Sequence, residues 1–339
     1  IDFLTVTRKT PFDDGVISRE SIKMRPIVNN SMVKGVMSQG ADSLKSVFYA
    51  LFANGAVAIA KGLAAWVTGS GAMLAEAIHS LADCSNQLLL LIGLKKAKRP
   101  PSSDYPLGYG KEIYFWSFLV ALVLFTLGGV FSIYEGWHKL HQPEALNSPW
   151  LAVGVLVFAM VAEGLALLGC IGEINKIRPA EQNYWRWFRD TRRSELMVVF
   201  GEDLAALLGL SLALCALLAA IVTGNPIYDA WGSIAIGLLL IVVALMIGVE
   251  IKALLVGQGV EAHTRAEMIA FLESEPTVDK VFNVLTLQLG GDVMVAVKAK
   301  MHEMTGAKEL VADINQTEAL FRQRFPQVQW LFFEPDVED

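Results

Sequence analysis

Charged side chains are scarce in this sequence. Only 18% of its 339 residues are Asp, Glu, Lys or Arg, against 54% hydrophobic residues and a mean hydropathy of +0.45. Soluble domains run nearer a quarter charged, so the composition argues against a soluble enzyme and for a membrane protein. A disordered chain is excluded too, because there is ample apolar surface to bury. Basic excess is lacking: 28 Lys and Arg against 34 Asp and Glu leave a net charge of −6, which argues against a nucleic-acid partner. The three cysteines, Cys84, Cys170 and Cys215, lie in apolar runs and form no CxxC, which leaves no disulfide framework or thiolate zinc site. They read as small buried hydrophobes. No HExxH, no GxxxxGK[ST] and no bis-histidine pattern occurs, and no nucleophile–base pair stands out. Neither an enzymatic activity nor an organic cofactor is therefore expected. No secretory leader is read in the first 30 residues, which are polar and interrupted by Pro11 and Pro26.

What the chain has in abundance is long apolar runs. Six of them approach the ~20 residues that cross a bilayer, at about Leu44–Val67, Ala72–Leu94, Ile113–Leu140, Pro149–Gly172, Leu196–Thr223 and Ala230–Val256. Lipid offers bare backbone groups no partner, so helices are expected. Basic residues alternate along the connections. They crowd around Lys95–Lys111 and Lys176–Arg193 and are sparse or absent elsewhere, which places both termini in the cytoplasm or its equivalent. Residues 257–339 hold 14 acidic against 7 basic side chains, whereas residues 1–256 hold 20 against 21. The chain therefore divides into a flexible arm at 1–43, a near-neutral transmembrane domain at 44–256 and an acidic C-terminal domain at 257–339. In that last domain Thr264–Glu275 and Lys308–Phe325 read as helices. Val278–Leu289, Val293–Met301 and Gln329–Phe333 read as strands, with a turn at Gly290-Gly291-Asp292. The fold class is a six-helix membrane bundle with a cytoplasmic α-β-β-α-β domain of ferredoxin-like or metallochaperone-like type.

Ionisable groups at membrane depth each need a reason. His79 and Asp83 are four apart in the second crossing and so share one helix face. An imidazole and a carboxylate at that spacing suit a divalent cation such as zinc, or a hydrogen bond that glues helices together. Glu202 and Asp203 are adjacent in the fifth crossing and point about 100° apart. Together with His79 and Asp83 they complete a potential four-ligand cage. Glu163 in the fourth crossing is a further candidate ligand or proton carrier. Lys61 and Asn54 in the first crossing read as helix-packing or path-lining groups, and Glu76 as a residue near the outer surface. The basic, aromatic stretch Lys176–Arg193 reads as an interfacial helix suited to anionic lipid.

At His79-Ser80-Leu81-Ala82-Asp83 and Pro106-Leu107-Gly108-Tyr109-Gly110-Lys111 the chain resembles the cation diffusion facilitator family. Within it, the branch containing the ninth mammalian zinc transporter is similar at Ser80–Gln87, Glu163-Gly164, the run from Glu202 to Gly209 and Thr223-Gly224-Asn225-Pro226. The resemblance runs from about Leu44 to Pro335. It implies a homodimer that exchanges a divalent metal, usually zinc, for protons. It also implies a transport site with two ligands on the second crossing and two on the fifth, spaced four apart. His79 and Asp83 match the first pair and Asp203 the last position. Val199 stands where the remaining ligand belongs, so Glu202 is the expected replacement, with Glu163 or water as alternatives. Tyr105, Tyr109, Asn283 and Phe333 stand where some members carry accessory metal ligands.

The expected function is thus a proton-coupled zinc antiporter in which His79 and Asp83 also carry protons. Its partners are zinc, protons, membrane lipid and a second copy of the chain. A bacterial inner membrane is the expected location, with a mitochondrial or other organelle membrane as the alternative. Two rival readings stand beside it: the same fold moving manganese, iron or cobalt, and a metal sensor or membrane scaffold that does not transport.

Overall fold

The structure, a computed structural model, describes residues 71–142, 149–302 and 306–338, with isolated positions between 51 and 66. The arm at 1–43, most of the first expected crossing and Lys61 lie outside the described residues, and Asn54 falls at one of the isolated helical positions.

Helix α1, Gly71–Ala97, is 27 residues long, about 40 Å at the helical rise. Lys95 and Lys96 occupy its last turn, where cations complement the helix dipole. Pro100-Pro101 then prevents continuation. The next apolar run forms α2, Glu112–Val123, a π-helical segment, Leu124–Val130, and α3, Phe131–His141, which follow one another without a break. Helices α4 (Pro149–Ile177), α5 (Tyr184–Asp190), α6 (Ser194–Thr223) and α7 (Ile227–Val256) complete this part. Among the described residues four helical stretches are long and apolar enough to cross a membrane: Glu112–His141, Ala152–Ile177, Ser194–Thr223 and Ile227–Val256.

Two features differ from the sequence expectations. The third run is interrupted by the π segment, which carries Gly128-Gly129. There α7 comes backbone to backbone: a Cβ on Gly237 would lie 2.7 Å from the Gly129 carbonyl oxygen. Close approach through glycines is how helices pack where lipid supplies no hydrophobic drive. The second difference concerns Lys176–Arg193, expected as one interfacial helix. Its first residues finish α4, Pro179 breaks the chain, and only Tyr184–Asp190 is helical again, capped by the Asn183 side chain accepting from the Arg186 N–H at 2.7 Å. Trp187 and Phe188 are buried inward, while Trp185 is exposed. Of the cysteines, Cys170 is buried and Cys84 partly so, but Cys215 is exposed on α6, where the outer surface is apolar and a small side chain is at home.

The C-terminal part runs α8 (Ala262–Ser274), β1 (Val278–Leu289), β2 (Asp292–Met301), α9 (Ala307–Arg324) and β3 (Val328–Pro335). Strand order is β1-β2-β3, antiparallel between β1 and β2 and parallel between β2 and β3. Alternate β2 residues, Val293, Val295, Val297, Ala299 and Met301, are buried against Met268 and Leu272 of α8, Phe321 of α9 and Phe325 just after it. Both helices therefore cover one sheet face. The opposite face carries the row Leu285, Ala296, Phe332, in which Leu285 and Phe332 are 61% and 56% exposed.

The two parts are joined closely. The Tyr114 hydroxyl accepts from the Gly290 N–H at 2.9 Å, and the Cα of Gly110 packs on the Leu289 carbonyl with no room for a Cβ. Arg192, just before α6, donates from Nε to the Gly259 carbonyl at 2.7 Å and from Nη1 to the Asp190 carbonyl at 2.7 Å. Burial pulls its guanidinium below the usual range, an effect opposed by the nearby Glu261 and Asp190 carboxylates.

Candidate functional site

Helix α1 carries His79 and Asp83 one turn apart. The His79 backbone is helical; its side chain, like that of Glu76, lies outside the described residues. Ser80 and Asn86 are 6% and 1% exposed, so this face of α1 is turned into the protein. Helix α6 supplies Glu202 and Asp203. At that level it is pressed against α7, since a Cβ on Gly201 would meet the Ile247 Cδ1 at 2.8 Å. A second tie fixes α6 lower down, where the buried Ser117 hydroxyl of α2 donates to the Ser194 hydroxyl at 3.1 Å.

The carboxylate of Glu202 reaches α1 directly. Its Oε1 accepts from the Asn86 Nδ2 at 2.7 Å, a bond between residues 116 positions apart. Glu202 also lies within electrostatic range of Asp83, Asp203 and Glu163, and Asp203 within range of Glu163 and Asp83. The carboxylates of Asp83, Glu163 and Asp203, from α1, α4 and α6, thus gather around that of Glu202. The sulfur of buried Cys170 on α4 lies in range of Asp203. Among the described residues no three His, Cys, Asp or Glu groups converge closely enough to hold a metal ion.

Of the residues singled out in the sequence, Asp83, Glu163, Glu202 and Asp203 are brought into one neighbourhood. Val199 is packed against the apolar core built around Phe188, Met197 and Val198. Glu202, three residues on, is bonded to the helix that carries His79 and Asp83. Asn86 is the residue that the sequence reading passed over. An uncharged amide in an apolar run raises no alarm in a search for ionisable groups, although an amide three residues after an intramembrane Asp is itself a signal.

In the loop after α1, the Tyr105 and Tyr109 rings meet at a tilt of 39° with centroids 4.6 Å apart. Phe333 is packed against the apolar core of the sheet domain and Asn283 is exposed on β1. His263 lies 3.5 Å from Glu261, and His302 4.0 Å from Asp279.

The cation efflux transmembrane domain matches residues 47–256. The chain is 34% identical to the mitochondrial proton-coupled zinc antiporter SLC30A9 of Mus musculus over 248 residues, 73% of this chain and 44% of the relative. It is 31% identical to metal tolerance protein C4 of Arabidopsis thaliana over 292 residues, 85% of this chain and 62% of the relative. It is 25% identical to the cation-efflux pump FieF of Serratia proteamaculans over 300 residues, 85% of this chain and 91% of the relative. The chain therefore spans less than two thirds of the length of the first two. With apolar helices of spanning length and a family match over most of the sequence, the chain belongs to the cation efflux family of membrane metal transporters, the cation diffusion facilitators.

Proposed function

We propose that the protein is a proton-coupled zinc antiporter that works by alternating access across six membrane crossings. The observation that carries this reading is the gathering of Asp83, Glu163, Glu202 and Asp203 from three helices. Two unit charges of one sign 4 Å apart repel by about 4 kcal/mol at an effective dielectric of about 20. Such a group calls for counter-charge, and a divalent cation or protons supply it. The two occupants exclude one another, because an oxygen or nitrogen must be free of its proton to hold a metal. That exclusion is the chemical form of antiport. His79, one turn before Asp83, adds a nitrogen donor of the kind that exchanges protons under physiological conditions. Zinc accepts such a mixed nitrogen and oxygen set.

In the proposed cycle, hydrated zinc enters on the side of the basic loops. His79, Asp83 and Asp203 replace its water, with Glu202 as fourth partner and Glu163 as a further proton or metal group. Protons arriving from the other side displace the metal there, and the emptied site reloads after the bundle rocks. The name of the mouse relative supports both the zinc and the proton. A bacterial inner membrane, with both termini on its cytoplasmic side, remains the preferred location. The mitochondrial relative supports the alternative.

The sheet domain is proposed to pair two copies. Leu285 and Phe332 stand exposed on the face that α8 and α9 leave bare, and an apolar pair of this kind on an otherwise acidic domain suits a second copy of itself. A second metal reading has one specific support. The described candidate groups are all carboxylates, a composition that favours harder ions such as manganese over zinc.

The test of the zinc-for-proton reading is proton release. Zinc added to the purified full chain in weakly buffered detergent solution should release protons in proportion to the metal bound, with manganese, iron and cobalt competing more weakly. Zinc binding without proton release, or tighter binding of manganese, overturns it.

A further inference from the structure

Asn86 is 1% exposed, and the 2.7 Å bond from its Nδ2 to Glu202 determines which way its amide faces. A carboxylate offers acceptors, so the amide nitrogen must be the end that meets it and the oxygen must point away. That oxygen, Oδ1, is buried and meets no hydrogen-bond donor among the described residues. The same holds for Oε1 of the next residue, Gln87. Among the described residues only one other buried side-chain atom is in this condition, the Nε of Arg178. Two adjacent orphan oxygens beside the gathered acids are therefore not a general feature of the molecule. A buried polar atom without a partner is costly enough that it calls for a specific occupant, an ion or a water.

Position narrows the choice. Asn86 and Gln87 follow Asp83 by three and four residues, so the carboxylate and both amides share one strip of α1. They stand one turn nearer the basic end of that helix, at Lys95 and Lys96. Glu202, bonded to Asn86, faces the same strip from α6. Amide and carboxylate oxygens are the donors that hard or still partly hydrated divalent cations accept.

We infer that Asn86 and Gln87 present their side-chain oxygens to the transported cation, forming with Glu202 an all-oxygen station one turn from Asp83 toward the basic end of α1. The station receives a partly hydrated ion before the ligands at His79 and Asp83 take it. It favours ions that tolerate oxygen alone. Asn86 has a double task there: its nitrogen holds Glu202 in place and its oxygen meets the metal. The inference rests on the transport reading given above.

The test measures zinc and manganese binding to the purified full chain, by calorimetry from mildly acidic to mildly alkaline pH. The proteins are wild type, Asn86→Ala, Asn86→Asp, Gln87→Leu and Asp83→Ala, each checked by its melting curve. Asn86→Ala should weaken binding by about tenfold, the lower end of what a lost partner at a metal site costs, and manganese should lose more than zinc. Asn86→Asp separates a ligand from mere helix glue. It restores an oxygen for the metal but sets a carboxylate against Glu202, so glue predicts that it is worse than alanine. The station predicts that it recovers metal binding at alkaline pH. Gln87→Leu should weaken manganese binding in the same direction and keeps the test alive if Asn86→Ala does not fold. Normal binding in Asn86→Ala and Gln87→Leu, with binding lost in Asp83→Ala, overturns the station and leaves the transport site standing. Normal binding in Asp83→Ala overturns the transport site and the station with it.

Discussion

The phenol oxygen of Tyr114, at the start of a membrane-spanning stretch, accepts the backbone N–H of Gly290, in the turn between two strands of the sheet domain, at 2.9 Å. Beside it the Cα of Gly110 rests on the Leu289 carbonyl, and Gly290 itself has φ +70°, a conformation that glycine adopts freely. The sheet domain is thereby seated on the loop that leads away from the helix of His79 and Asp83. Gly110→Ala must push this seat apart, and overpacking of this kind costs about 1–3 kcal/mol. Its thermal midpoint in detergent should fall clearly. Tyr114→Phe, which leaves the Gly290 N–H unpaired, should cost about 1–3 kcal/mol. Gly154→Ala, where nothing stands within 4 Å, is the control that should leave the midpoint unchanged. An unchanged midpoint in Gly110→Ala would contradict the seat.

The exposed row on the sheet gives a prediction about assembly. A charge at Leu285 or Phe332, which flank Ala296 on neighbouring strands, should convert a dimer into monomers without unfolding the domain. Light scattering of Leu285→Asp and Phe332→Asp in detergent should report half the mass of the wild type. Dimers in both variants would place the pairing surface elsewhere.

Acid should loosen the sheet domain. Lys300 donates to Asp279 at 2.8 Å and Lys298 pairs with Asp336 at 3.1 Å, and both lysines hold their partners' carboxyls below the usual range. A depressed carboxyl stabilises the fold above its unfolded value, near 3.9, and that contribution is lost as pH falls through the lower folded value. Asp279→Asn and Asp336→Asn should therefore be less stable than wild type at neutral pH and converge with it in strong acid. Both pairs are solvent-exposed, so the difference should be small and shrink in high salt. A difference that grows toward acid would reverse the sign and refute the pairing.

The helices were largely legible in the sequence, because a bilayer demands long apolar runs and such runs are hard to mistake. The runs at Ala72–Leu94, Ile113–Leu140, Pro149–Gly172, Leu196–Thr223 and Ala230–Val256 all appear as helical stretches with ends shifted by a few residues. Their extra length comes from polar ends such as Glu173 and Lys176, which prolong a helix past its apolar part. The strands read well for a related reason: β2 alternates strictly along its length. The π segment at Leu124–Val130 was not legible, since a shift of backbone hydrogen bonding leaves composition untouched. The break near Pro179 had its signal in the proline, outweighed by the basic and aromatic side chains around it. The acids at Asp83, Glu163, Glu202 and Asp203 were conspicuous because charge is rare at depth. Asn86 was not, because its meaning arises only from Glu202, which lies far along the chain.

The central claim is that this cluster exchanges zinc for protons, and one measurement meets it directly. Sealed proteoliposomes holding the wild-type chain or Asp203→Ala would be loaded with zinc and pH indicators and given a pH gradient. The account predicts zinc flux that follows the gradient, with opposite proton movement, in the wild type, and loss of both in Asp203→Ala although that variant remains folded. Zinc flux indifferent to the gradient, or undiminished in Asp203→Ala, would contradict it.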